Sequence, residues 1–212
     1  MPSTVPSRSH HGRTADGPRP DPLLIHAVHH ALRRDLADLV EWARTCVPVA
    51  GPGWNRFRHY LTLHHRAEDA TLWPVLREMS DRGSPLHRLT AAMAEEHHRL
   101  DELVATIDDC LSGRGPASRT FEYVTRLDTA LTAHLDFEDA TLLPLVSTLI
   151  TPREWAHFDV AQRSPLYLVE GAQFLSWLLE GVPADREPAI RHVFPPAVRL
   201  THRILRTRHV RW

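Results

Sequence analysis

The sequence predicts an all-α fold: an up-down-up-down four-helix bundle with additional C-terminal helices. Three observations predict it. Four long stretches carry apolar residues at three- and four-residue intervals. Short breaks containing Pro, Gly or Ser separate them. The pattern H-x-x-x-E-D-A-T-L-x-P occurs at His64–Pro74 and again at His134–Pro144, 70 residues later. No stretch alternates apolar and polar residues well enough to form a strand.

Residues 1–20 are polar and rich in Pro, Ser and Gly, and are expected to form a disordered tail. Asp21-Pro22 reads as an N-cap followed by proline at the first helical position. The first helix then runs to about Cys46, with Leu32, Leu36 and Leu39 on one face. Pro48, Gly51, Pro52 and Gly53 break it. The second helix covers about Trp54–Ser80, and Pro74 is expected to kink it or to start a separate last turn. Ser84-Pro85 caps a third helix reaching about Leu111. The fourth runs from about Ser118 to Ile150, with Pro144 matching Pro74. Residues 21–150 therefore form the bundle.

Residues 151–212 form a C-terminal helical extension. Thr151-Pro152-Arg153-Glu154 is a capping box that opens a helix to about Gln162. Ser164-Pro165 opens another to about Leu179, a further piece lies near Asp185–Val193, and Val198–Trp212 forms a last helix or arm. The segment 165–181 is too apolar to stay exposed. The extension is therefore expected to pack on the bundle or across a homodimer interface.

Composition sets outer limits. The chain has 212 residues, enough for one domain plus an extension. Its formal net charge of −1 points to neither nucleic acid nor membrane as a partner. The arginine-rich end, Arg199–Trp212, reads as a docked helix with solvated arginines. No apolar run has signal-peptide or membrane-spanning length, so a cytoplasmic location is expected. Cys46 and Cys110 lie near the ends of diagonal helices and read as two small buried hydrophobes, not a disulfide. Sixteen histidines are the compositional outlier and suit a metal site.

The repeat carries the chemistry. Residues four apart on a helix share a face, so His64 and Glu68 stack one turn apart, as do His134 and Glu138. The repeat extends to HHALRRDL from His29 and HHRLDEL from His97, 68 residues apart. The unit is thus a helical hairpin used twice. One hairpin offers His29, His64 and Glu68; the other offers His97, His134 and Glu138. An approximate twofold axis would gather four histidines and two glutamates, a set suited to two metal ions bridged by the carboxylates. Imidazole with carboxylate suits iron, manganese or zinc.

Three of these histidines are doubled. Of the first members, His29 and His97 share the apolar face, and His64 is the one that aligns with His134, whose neighbour is Leu135. His30, His65, His98 and His26 remain candidates for a fifth imidazole; on the residues alone, His65 reads as a helix-surface side chain and His26 as a core one. Asp69 and Asp139 follow the glutamates and could accept hydrogen bonds from ligand imidazoles. Trp42, Trp73 and Phe137 read as core, and His59 as surface.

Over about residues 22–150 the chain resembles the hemerythrin-like (HHE cation-binding) family. The elements appear in family order: a histidine on the first helix, H-x-x-x-E on the second, Glu96-His97 on the third and H-x-x-x-E on the fourth. The resemblance implies a non-heme diiron site with an oxo or hydroxo bridge, and binding of dioxygen, nitric oxide or peroxide. Oxygen carriers of that family have two histidines one turn apart on the third helix; here Met93 and Asp101 flank His97. Their fourth-helix carboxylate is an aspartate five residues on, where this chain has Glu138 at four and Asp139 at five. Two functions follow as expectations: a diiron protein that senses, stores or scavenges a small ligand, or a diiron oxidase, oxygenase or peroxide-consuming enzyme. Truncation after Ile150 is expected to lower solubility and thermal stability while leaving the metal ligands in place, as melting curves and elemental analysis of the shortened protein would show.

Overall fold

The computed structural model describes residues 21–45, 51–163 and 165–205. The N-terminal tail, Cys46 and the last seven residues lie outside it. The α-helices among the described residues are α1 Leu23–Thr45, α2 Pro52–Glu78, α3 Pro85–Leu111, α4 Thr120–Phe137, α5 Leu143–Leu149, α6 Pro152–Ala161, α7 Leu168–Leu179, α8 Glu187–His192 and α9 Pro196–Leu205, and these residues contain no strand. None of these helices is long and apolar enough to cross a membrane.

The helix starts follow local chemistry. The Asp21 carboxylate accepts from the Leu23 N–H at 3.0 Å, and the Ser84 hydroxyl accepts from the His87 N–H at 3.1 Å. Both satisfy amides that no earlier carbonyl can reach. The capping box closes in full at α6, where the Glu154 carboxylate accepts from the Thr151 N–H at 2.7 Å and the Thr151 hydroxyl accepts from the Glu154 N–H at 3.3 Å.

Two expectations change. The two prolines of the repeat act differently: α2 runs through Pro74 as one helix, whereas the chain before Pro144 forms a π turn over Glu138–Leu142. A proline removes one N–H from the helical ladder, and a wider turn is one way to re-pair the freed carbonyls. The helix expected from Ser164-Pro165 begins only at Leu168, after a β-region Tyr167.

In the helical bundle, α1 packs on α2 and α4, and α3 packs on α2 and α4. One apolar cluster, with Leu32, Leu36, Phe57, Leu100 and Leu131, fills one part of the interior. A second, with Ile25, Leu72, Trp73, Met93 and Val146, fills another. Trp73 is buried, and Trp42 and Phe137 are partly buried against these clusters. Cys110 is buried and free. The polar site described below draws on helices that line both clusters.

The helices after residue 150 add to this interior. α6 lies on α2, and its Trp155 and Phe158 join the second cluster. α7 lies on α1 and buries Phe174, Leu175, Trp177 and Leu178 in the first. Tyr167, Leu168 and Val169 of the same apolar run stay exposed. α9 packs on α7.

A buried carboxylate joins α7 to the bundle. Asp35 of α1 is fully buried and accepts from Arg34 at 2.6 Å, Arg56 at 2.9 Å and the Trp177 indole N–H at 2.9 Å. Arg34 also donates to the carbonyls at the end of α7, Trp177 at 3.1 Å and Glu180 at 2.6 Å. Removing the acid takes the shared buried carboxylate away from two guanidiniums and an indole N–H. Asp35→Ala should therefore cost about 3–5 kcal/mol in denaturant unfolding of the metal-free protein.

Candidate metal centre

Six side chains named from the repeat converge at the centre of the bundle, and a seventh joins them. His29 comes from α1, His64, His65 and Glu68 from α2, His97 from α3 and His134 from α4. Glu138 is the first residue of the π turn. All seven are buried, at 0–3% exposure. They fall into two groups whose ligand atoms lie within 4.8 Å of one another: His29, His64, Glu68 and Glu138, and His65, His97 and His134.

The carboxylates connect the groups. Glu138 Oε2 lies 3.3 Å from His29 Nε2 and 3.9 Å from His64 Nε2, while its Oε1 lies 3.4 Å from His134 Nε2. Glu68 Oε1 lies 3.7 Å from His64 Nε2, while its Oε2 lies 3.5 Å from His97 Nε2. His29 Nε2 and His64 Nε2 are 3.1 Å apart. Each carboxylate thus offers one oxygen to each group. Metal–ligand bonds of about 2.1 Å put neighbouring donor atoms about 3.0–3.4 Å apart, a range that the 3.1, 3.3 and 3.4 Å separations match and the 3.5, 3.7 and 3.9 Å ones exceed.

Three of these imidazoles are oriented from outside by carboxylates. His29 Nδ1 lies 2.8 Å from Asp139, His97 Nδ1 lies 2.9 Å from Asp69 and His134 Nδ1 lies 3.0 Å from Glu96. A carboxylate at Nδ1 fixes the proton there and leaves the Nε2 lone pair facing inward. The aspartate contacts are exchanged between hairpins: Asp69 of the first serves His97 of the second, and Asp139 of the second serves His29 of the first. Arg33 braces Asp139 at 2.8 Å.

A family model described as "Hemerythrin HHE cation binding domain" matches residues 23–146. The chain belongs to the hemerythrin HHE cation-binding family. No curated protein and no solved structure matches it.

The polar groups of this hemerythrin HHE domain fit a resident metal. Both oxygens of Glu68 and of Glu138, the Nε2 atoms of His97 and His134, and both nitrogens of His65 are buried without an aligned hydrogen-bond partner. Such a set is costly in a dry core unless a cation coordinates it. Burial, reinforced by Glu138, pushes the Glu68 carboxyl well up from the ordinary carboxylate range. Burial, with Asp139 and Glu96 nearby, does the same to Glu138. Burial lowers His29, His64 and His65, and takes His134 down to about 4, so these imidazoles stay neutral. Burial opposes ionisation of Asp139, but its hydrogen bonds with His29 and Arg33 outweigh this and hold it below the usual range.

The HHE histidine pairs resolve differently from one another. His30 and His98 are exposed while His29 and His97 are buried. His65 is not the surface side chain expected: it is 2% exposed and stacks on His97 with ring centroids 4.0 Å apart. Its repeat partner is Leu135, so the repeat gives no signal favouring it over the other fifth-imidazole candidates; the extra imidazole occupies a position that the second hairpin fills with a hydrophobe. His26 also departs from expectation. It is exposed and reaches Asp139 at 3.1 Å instead of entering the core. His59 is exposed, as expected, and pairs with Glu170 at 2.9 Å.

Protons and metal compete for the oxygens of Glu68 and Glu138. Their raised affinity for protons extends that competition above the ordinary value of 4.5, whereas the lowered imidazoles do not compete above 6.5. Metal affinity should therefore rise with pH. Chelator competition should show weaker binding at about pH 5.5 than at about pH 7.5, with protons released on uptake.

Proposed function

We propose that this chain is a non-heme diiron protein that binds dioxygen, nitric oxide or peroxide in order to sense, store or scavenge it. The observation that carries the reading is the pair of buried glutamates, each with one oxygen toward each of two imidazole groups. That arrangement supports two ions held by shared bridges. Imidazole with carboxylate suits iron, and also manganese or zinc. The ring of contacts among α1–α4 and their short connections support an up-down-up-down four-helix bundle over 21–150, with 151–212 as a helical layer on it.

In this reading His29, His64, Glu68 and Glu138 would hold one ion, and His65, His97 and His134 with both glutamates would hold the other. The first would have fewer protein donors. Bound iron would supply one-electron redox chemistry and open coordination positions. The chain's own contribution is to exclude water from the site, hold the imidazoles neutral and keep the Nδ1–H groups of His29, His97 and His134 donating to Asp139, Asp69 and Glu96.

One observation favours an enzyme as the second reading. A groove of about 720 Å³ runs between α3 and α4, lined by residues that include Leu100, Leu103, Tyr123 and Phe137, and reaches Glu96 and His134 at the site's edge. Its volume suits a small organic molecule. A diiron oxidase, oxygenase or peroxide-consuming enzyme would use it.

Protein from iron-fed cells should carry about two iron equivalents per chain. Glu68→Ala or Glu138→Ala should lose most of both, and His65→Ala should lose mainly one. A single firmly bound zinc ion would refute the dinuclear reading. Adding oxygen to the reduced anaerobic protein separates the two functions: a stable, reversible absorption change marks binding, and irreversible oxidation or turnover of added peroxide marks an enzyme.

A further inference from the structure

The two hairpins are not equivalent around their H-x-x-x-E histidines. On α4, His134 has the Glu96 carboxylate at its Nδ1, one position before His97 on α3. The corresponding position on α1, one before His29, is Val28, which is buried and apolar. The repeat therefore supplies no acid to His64, whose Nδ1 is buried without an aligned partner. The group that approaches it comes from outside the family-matched region. Gln162 sits just past the end of α6, which packs on α2. Trp155 and Phe158 bury one face of α6, and Gln162 continues that face one turn on. It is 1% exposed, and both of its amide atoms are buried without an aligned hydrogen bond. Its amide lies within hydrogen-bonding reach of the His64 imidazole.

We infer that Gln162 is the positioning residue of His64, its amide oxygen accepting from Nδ1–H, so that the C-terminal extension completes the metal site. This rests on the metal reading above. It also gives the site an electronic asymmetry. Three ligand histidines are backed by carboxylates, which raise imidazole basicity and favour the more oxidised metal. His64 is backed by a neutral amide, which does so less. The ion held by His29 and His64 then has fewer protein donors, and one of its two imidazoles lacks a carboxylate.

The test uses the full chain reconstituted with ferrous iron, comparing wild type with Gln162→Glu, Gln162→Leu and Phe158→Leu. Iron content, the rate of iron loss to a chelator and the midpoint potential are measured. Gln162→Glu should keep two irons and lower the midpoint potential. Gln162→Leu should release iron about 10–100-fold faster to a chelator. Phe158→Leu loosens α6 but keeps the amide, and should leave the potential unchanged. Wild-type potential and release rate in both Gln162 variants would overturn the assignment while leaving the two-iron reading intact. An equal shift in Phe158→Leu would overturn it too, because the effect would then pass through α6 packing. Wild type that takes up no iron would instead refute the metal reading itself.

Discussion

Glu68 and Glu138 lie in the middle of a helical core, fully buried, and all the ion pairs they form among the described residues are with histidines. Two carboxylates in that position cannot both ionise against neutral imidazoles without a large desolvation cost. Either they keep protons or a cation joins them. The rest of the architecture follows from that constraint. The imidazoles need fixed tautomers, which Asp69, Asp139 and Glu96 supply from the outer side of each ring. The apolar clusters must exclude water, which the leucines of α1–α4 and the aromatics of α6 and α7 do. The site is thus a polar island whose cost the surrounding packing has to carry.

Duplication explains most of the island and not all of it. The exchanged aspartate contacts, Asp69 with His97 and Asp139 with His29, are what an approximate twofold would give. Three differences break the symmetry. His65 stands opposite Leu135, Val28 stands opposite Glu96, and the π turn at Glu138 has no counterpart at Glu68. Each difference changes one half of the site only. The consequence is two unlike groups of donors, one with three imidazoles and the other with two imidazoles and both carboxylates.

The extension is tied into this arrangement at two places. Asp35 collects Arg34, Arg56 and the Trp177 indole, which fixes α7 against α1 and α2. Trp155 and Phe158 fix α6 against the cluster beside the histidines. The Trp155 indole also donates to the Asp21 carbonyl at 3.1 Å, so α6 touches the start of α1 as well as α2. Residues outside the matched family region are thereby anchored beside the buried histidines and glutamates.

The sequence by itself determined the helices, their caps and six converging side chains. Those signals are local: Asp21, Ser84 and Thr151 announce helix starts, and a four-residue spacing puts His64 over Glu68 whatever surrounds them. The eleven-residue repeat added the pairing of hairpins, because a duplicated unit carries its contacts with it. Tertiary structure decided the rest. His65 and His26 were both misread, because at the edge of a helix face the neighbouring helices determine which side chain is covered. Pro74 and Pro144 have nearly the same local sequence, yet one sits in a continuous α-helix and the other follows a π turn, a choice that local spacing does not encode. Gln162 carries no spacing signal toward His64, being 98 residues away in the chain. Only the packing of α6 on α2 brings the two together.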